Sequence, residues 1–71
     1  MIADVRFQLR RIPFVSFTIR SSDGCDYLVP TISHAYITPR GDRVVIATQN
    51  GSVAILRPLH IKGIIEGSNG A

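Results

Sequence analysis

Three side chains combine useful chemistry with positions where the chain must turn: His34, Arg57 and His60. His34 follows Pro30-Thr31-Ile32-Ser33, and Arg57 and His60 bracket Pro58-Leu59. A catalytic histidine needs a nucleophile or carboxylate within hydrogen-bond reach, and no known spacing marks one here. No glycine loop built to cradle phosphate is present, and no metal-ligand spacing occurs. The chain therefore reads as non-enzymatic, with no cofactor and no metal. Arginine offers a forked donor set for phosphate and a flat face for stacking on a base. Arg57 with the two histidines is thus a candidate nucleic-acid contact set. A plainer account is open beside it: turn histidines with local hydrogen bonds, and an arginine snorkelling at a strand end.

The charge balance points the same way. The net charge is +3, with seven arginines and one lysine against five acidic residues, which favours polyanions or acidic surfaces over cationic partners. Charges that merely keep a small apolar domain in solution give the same total. Arg6, Arg10 and Arg11 form a basic stripe if the N-terminal segment is helical, with a solvated face as the default explanation. Arg40-Gly41-Asp42 reads as a tight turn in which Gly41 takes a positive φ. Tyr27 and Tyr36 at strand positions complete the core or its rim. Cys25 has no basic neighbour to activate it and reads as an inert small hydrophobe.

The elements that must position these residues are short. Residues 2–12 carry two patterns. Ile2, Val5, Leu9 and Ile12 fall at helical spacing, while Val5, Phe7 and Leu9 alternate as in a strand; the helix is the favoured reading, ending at Pro13. Phe14 to Arg20 alternates Val15, Phe17 and Ile19 with Ser16, Thr18 and Arg20, as a half-buried strand does. Asp23-Gly24 turns it back into Cys25–Val29, which Pro30 stops. Residues 34–38 form a third short strand, and Pro39-Arg40-Gly41-Asp42 leads into the strongest signal, Asn50-Gly51 between two apolar β-branched runs. A two-residue type I′ loop there pairs Gln49 with Ser52, Thr48 with Val53 and Ile46 with Ile55. Val44, Ile46, Val53 and Ile55 then share one face, and Val45, Ala47, Ala54 and Leu56 the other. Both faces are apolar, where a half-exposed antiparallel sheet should alternate. No internal repeat shows in the sequence. Residues 1–66 read as one domain and residues 67–71 as a fraying polar tail.

With 71 residues such a domain buries only about 60% of its unfolded surface. Small folds generally add disulfides, a metal or a partner subunit, and a single cysteine leaves no intrachain bridge. Self-association is the expected stabiliser, and it also covers the second hairpin face and its edge. No apolar run approaches the roughly 18 residues of a membrane span, and no apolar leader segment is evident. A cytoplasmic location is the default expectation, compatible with the lone thiol.

Pro13-Phe14-Val15-Ser16-Phe17-Thr18-Ile19, Asp23-Gly24, His34, Gly41-Asp42-Arg43-Val44-Val45-Ile46, Leu59-His60-Ile61 and Ile64-Ile65-Glu66 together resemble a group of small uncharacterised bacterial proteins. That group commonly has a Pro-Phe-x-Pro-Phe start, with Ser16 here in place of the second proline; it brings no known activity. In architecture the order also resembles the Sm/LSm family, which has an N-terminal helix followed by a strongly bent five-stranded barrel. Asp23-Gly24 is similar to the turn of that family's first motif, and Val53 to Ile65 to its second, an apolar strand, Arg-Gly and a short Ile-rich strand. Pro58 replaces the glycine, and Thr31-Ile32-Ser33-His34 lacks the family's Asp and Asn pattern. The resemblance implies a ring that binds RNA at the loops after strands two and four.

The expectation is therefore an all-β fold, a small SH3-like or Sm-like barrel of five to six short strands with a short N-terminal helix. Its expected role is a homo-oligomer binding single-stranded RNA or DNA through His34, Arg57 and His60. The alternative from another class is a protein–protein interaction or assembly module in which the apolar hairpin face is the working surface.

Overall fold

The structure is a computed structural model, and it describes residues 2–66. The expected tail at 67–71 lies outside the described residues. The N-terminal ambiguity resolves as helix α1, Ile2–Arg10. Ile2 and Val5 are buried and Leu9 is half-buried, whereas Phe7, which a strand would have put beside them, is exposed. Ile12 falls beyond the helix and is almost fully exposed, so it does not join that stripe.

Six strands follow: β1 Phe17–Ser21, β2 Asp26–Val29, β3 Ala35–Ile37, β4 Val44–Ala47, β5 Val53–Leu56 and β6 Ile61–Glu66. The predominantly β fold with a short N-terminal helix is thus as the sequence indicates. The strands hydrogen-bond as two antiparallel three-stranded sheets, β2-β1-β6 and β3-β4-β5, rather than as one closed barrel. β1 starts later than the alternation implies, at Phe17, and β2 starts at Asp26, leaving Cys25 exposed at the turn rather than packed as a small hydrophobe. Residues 32–34 form a single 3₁₀ turn, so β3 begins at Ala35 and not at His34.

The Asn50-Gly51 hairpin departs from expectation by one residue. Ala47 faces Val53, Ile46 faces Ala54, Val45 faces Ile55 and Val44 faces Leu56. Gly51 has φ +89°, but among the described residues only glycines adopt a positive φ, so Asn50 does not, which excludes a type I′ turn. The Gly51 N–H donates to the Thr48 carbonyl (3.2 Å) and the Thr48 N–H to the Ser52 carbonyl (2.9 Å). This is a three-residue loop whose glycine occupies the left-handed position. Asp23-Gly24 turns in the same way, with Gly24 at φ +91°, Gly24 N–H to Ser21 carbonyl at 3.1 Å and Ser21 N–H to Cys25 carbonyl at 2.8 Å. Because side chains alternate with period two, a one-residue slip exchanges faces on one strand. Val44, Ile46, Ala54 and Leu56 point inward, and Val45, Ala47, Val53 and Ile55 point outward.

The two hairpins are copies of one another, a repeat the sequence conceals. Residues 17–29 and 44–56 superpose in pattern at a spacing of 27 positions. β1 and β4 share their burial pattern over their first four residues, and β2 and β5 share theirs throughout. The turn chemistry matches too. The Asp23 carboxylate accepts from the Ser21 hydroxyl and from the Cys25 N–H (3.2 Å). The Asn50 Oδ1 accepts from the Thr48 hydroxyl (2.6 Å) and from the Ser52 N–H (3.2 Å). Each hairpin is followed by a 3₁₀ turn and a third strand, and that strand joins the other hairpin's sheet: β3 pairs with β4, and β6 with β1. The exchange ties the halves together around one core of Phe17, Ile19, Val29, Val44, Ile46, Leu56 and Ile61, closed at one end by Ile2 and Val5 of α1. Burying this apolar surface is the dominant favourable contribution to the fold.

Helix α1 is fastened over β6. Arg11 pairs with the Glu66 carboxylate, which also accepts from Gln8 Nε2 at 3.3 Å. Gln8 itself is buried, and its Oε1 has no hydrogen-bond partner.

Candidate nucleic-acid interface

Arg57 and His60 flank the 3₁₀ turn Pro58–His60 that carries the chain from β5 to β6. Arg57 is extended (φ −88°, ψ 161°), as the residue before proline should be. The turn is closed by the His60 N–H donating to the Arg57 carbonyl at 2.9 Å. It is anchored by the Ser22 N–H donating to the His60 carbonyl at 2.8 Å and by Ile61, which is buried. The backbone is thus held while the Arg57, Leu59 and His60 side chains stand in solvent. His60 borders a cleft of about 530 Å³ beside Asp23, Tyr27, Ser52 and Ile55.

His34 ends the other 3₁₀ turn and is half-buried. Its Nδ1 is 2.8 Å from the Thr31 hydroxyl and its N–H donates to the Thr31 carbonyl at 3.1 Å. Those contacts are local. Arg57 and His60 come together on one turn, and the hydrogen bonds of His34 do not bring it to them within the chain.

A second cleft, of about 480 Å³, lies between β2 and the β4–β5 turn, with Tyr27 and Thr48 between the two clefts. Burial pushes the Tyr27 phenol above its ordinary range, with the thiol of Cys25 and the carboxylate of Asp23 adding to the effect. It is therefore a neutral hydroxyl at physiological pH. The Asp23 carboxyl is held below the usual range by the Ser21 hydroxyl and then by the Cys25 N–H. Among the described residues no three His, Cys, Asp or Glu side chains converge as a metal site would require.

The charge balance becomes informative once partners are assigned. Asp26 pairs with Arg20, Asp42 with Arg43 and Glu66 with Arg11, and Asp23 is occupied by its own turn. Arg6, Arg10, Arg40, Arg57 and Lys62 form no ion pair among the described residues, and of the carboxylates there only Asp4 and Asp23 form none. The basic stripe of the helix is therefore divided: Arg11 is spent on Glu66 and lies 6.0 Å from the Phe7 ring centre, while Arg6 and Arg10 line a cleft against Ile37 and Thr38. Sequence reading had the arginines but not the cleft, because the wall facing them comes from residues some thirty positions away. Arg40 sits at the third position of the turn Thr38–Gly41, where the Gly41 N–H donates to the Thr38 carbonyl at 2.7 Å and Gly41 has φ +76°, as the tight-turn reading of Arg40-Gly41-Asp42 requires.

Comparison with protein-family models, with curated proteins and with solved structures finds no match to this chain. No helix among the described residues is long and apolar enough to cross a membrane.

Proposed function

We propose that this protein is a non-enzymatic nucleic-acid-binding domain that works as a homo-oligomer. The observation that carries the proposal is the imbalance of unpaired charge: among the described residues five cations without an ion pair stand against two such carboxylates, Asp4 and Asp23, which leaves a basic excess for phosphates.

The element order supports an Sm-like arrangement of that function. β2 and β3, joined through Pro30 and a 3₁₀ turn, read as two arms of one bent strand, one arm in each sheet. β6 then returns beside β1 after the 3₁₀ turn at Pro58–His60. On this reading the loop after the bent strand is Pro39–Asp42, so Arg40 takes the place first given to His34, while Arg57 and His60 keep theirs in the loop after β5. Binding is to backbone phosphates, with little sequence preference.

The oligomer follows from the sheet β3-β4-β5. Its outward side chains are Tyr36, Val45, Ala47, Val53 and Ile55, with Tyr36, Val53 and Ile55 more than half exposed. A contiguous uncharged face beside the free edge of β5 suits contact with another copy. The test is binding of fluorescein-labelled single-stranded RNA across a salt series, with the mass of the protein measured by light scattering at the same concentrations. Affinity should fall steeply with salt, and the mass should exceed one chain. No binding at low salt removes the nucleic-acid reading and favours an assembly module built on the apolar face.

A further inference from the structure

We infer that the cleft between α1 and the β3–β4 turn is a phosphate site, distinct from the Arg57–His60 turn, that holds a backbone phosphate of the bound strand. The inference rests on the nucleic-acid reading and places a second contact for it on the fold.

The cleft has a volume of about 300 Å³ and is lined by Arg6, Leu9, Arg10, Ile37 and Thr38. Arg6 and Arg10 stand one helical turn apart on the same side of α1, where two like charges repel and weaken a helix. Three other arginines are set against carboxylates, at Arg11–Glu66, Arg20–Asp26 and Arg43–Asp42. Among the described residues no carboxylate lines these walls. Asp42 takes Arg43 and the Thr38 hydroxyl (3.2 Å), and Asp4 lies two residues from Arg6, on another side of the helix. Arg10, in the last turn of α1, also offsets the helix dipole; Arg6, in mid-helix, has no such use.

Arg6 also reaches the β3–β4 turn. It is half-buried, and its Nη2 lies so close to the turn that a Cβ built on Gly41 would sit 3.3 Å from it. The guanidinium therefore lies beside the turn, and Leu9 and Ile37 line the same cleft. A planar guanidinium fork is pre-organised, so an arginine loses less freedom for each hydrogen bond it forms to an anion. Two arginines lining one cleft offer two guanidinium forks to a tetrahedral phosphate group, whose non-bridging oxygens accept from both.

The experiment uses the full chain, labelled with ¹⁵N, and a fluorescein-labelled oligouridylate. RNA is titrated while the Arg6 and Arg10 Nε–H signals and the Thr38 amide are followed by NMR. Affinity and its salt dependence are then measured for wild type, for Arg6→Gln/Arg10→Gln and for Arg6→Lys/Arg10→Lys. The expected result is a shift of those signals, an affinity on the order of tenfold weaker in the glutamine variant, and a salt slope smaller by about one. The lysine variant should keep the slope and lose part of the affinity, because it retains charge without the fork. A glutamine variant with an unchanged backbone spectrum that binds as tightly as wild type, with the same slope, overturns the cleft and leaves the nucleic-acid reading standing. A wild-type chain that binds no RNA at low salt overturns both.

Discussion

Arg20 and Asp26 face each other across β1 and β2 and are joined by two hydrogen bonds, of 3.0 and 3.1 Å. Twenty-seven positions on, Ala47 and Val53 face each other across β4 and β5 in the same register, with no polar atom between the side chains. The rows beside them also correspond: Leu28, Thr18 and Ile65 on one sheet, Ile55, Val45 and Tyr36 on the other. One fold thus presents the same outer surface twice, once with an ion pair suited to water and once without.

Transplanting that pair tests the use of the bare face. Ala47→Arg together with Val53→Asp should preserve the fold, since both positions point outward and their counterparts carry these residues. The expected outcome in analytical ultracentrifugation is a shift toward a single chain at concentrations where the wild type associates. An unchanged mass would remove this face from the interface.

The turn glycines separate conformational cost from steric cost. A Cβ at Gly24 or Gly51 meets nothing within 4 Å, yet both have φ near +90°. Gly24→Ala and Gly51→Ala should each destabilise by about 1 kcal/mol through backbone strain alone. Gly63, in β6 and equally uncrowded, is not in the left-handed region. Gly63→Ala should stay within about 0.5 kcal/mol of wild type or gain slightly. Urea denaturation of the three variants reads this directly.

Gln8 offers a stabilising change. Its Oε1 is buried without a partner, and its one hydrogen bond goes to a Glu66 carboxylate that Arg11 also holds. Gln8→Met keeps the length of the side chain and removes the orphaned acceptor. A gain of about 1 kcal/mol is expected, which for a domain of this size raises Tm by roughly 4–8 °C. A calorimetric Tm at or below that of wild type would show that the amide is satisfied in solution.

Acid should loosen the first hairpin. The carboxyls of Asp23 and Asp26 are both held below their ordinary range, the first chiefly by the Ser21 hydroxyl and the second by the hydrogen bond from Arg20. A carboxyl depressed in the folded state contributes stability that is present above its unfolded pKa, about 3.9, and is lost as pH falls through the folded value. Stability should therefore decline below about pH 4, and the decline should be shallower in Asp23→Asn/Asp26→Asn. Parallel curves for the two proteins would assign the loss to other groups.

Arg57→Ala probes the exposed turn. The side chain stands in solvent at the start of a turn whose backbone bonds it does not make itself. The thermal midpoint should be unchanged, and single-stranded RNA affinity should fall by about the worth of one phosphate contact, with a salt slope smaller by about one. Undiminished binding takes Arg57 out of the interface.

The sequence alone determined where the chain turns and which stretches extend. Gly24, Gly41 and Gly51 mark the three hairpins because only glycine enters the left-handed region cheaply, and the alternation in Phe17–Ser21 marks a strand because one face must be buried. It left residues 2–12 between helix and strand, since both periods fit so short a run, and the burial of Ile2 and Val5 against the core decided for the helix. Tertiary structure also decided the hairpin register. Asn-Gly is compatible with loops of two or three residues, and only the packing of Val44, Ile46 and Leu56 into one core chooses between them. The same holds for charge. Composition gives the excess of arginine, but the partners of Arg11 and Arg20 lie across strands or on the far end of the chain, so which cations remain free is a property of the fold.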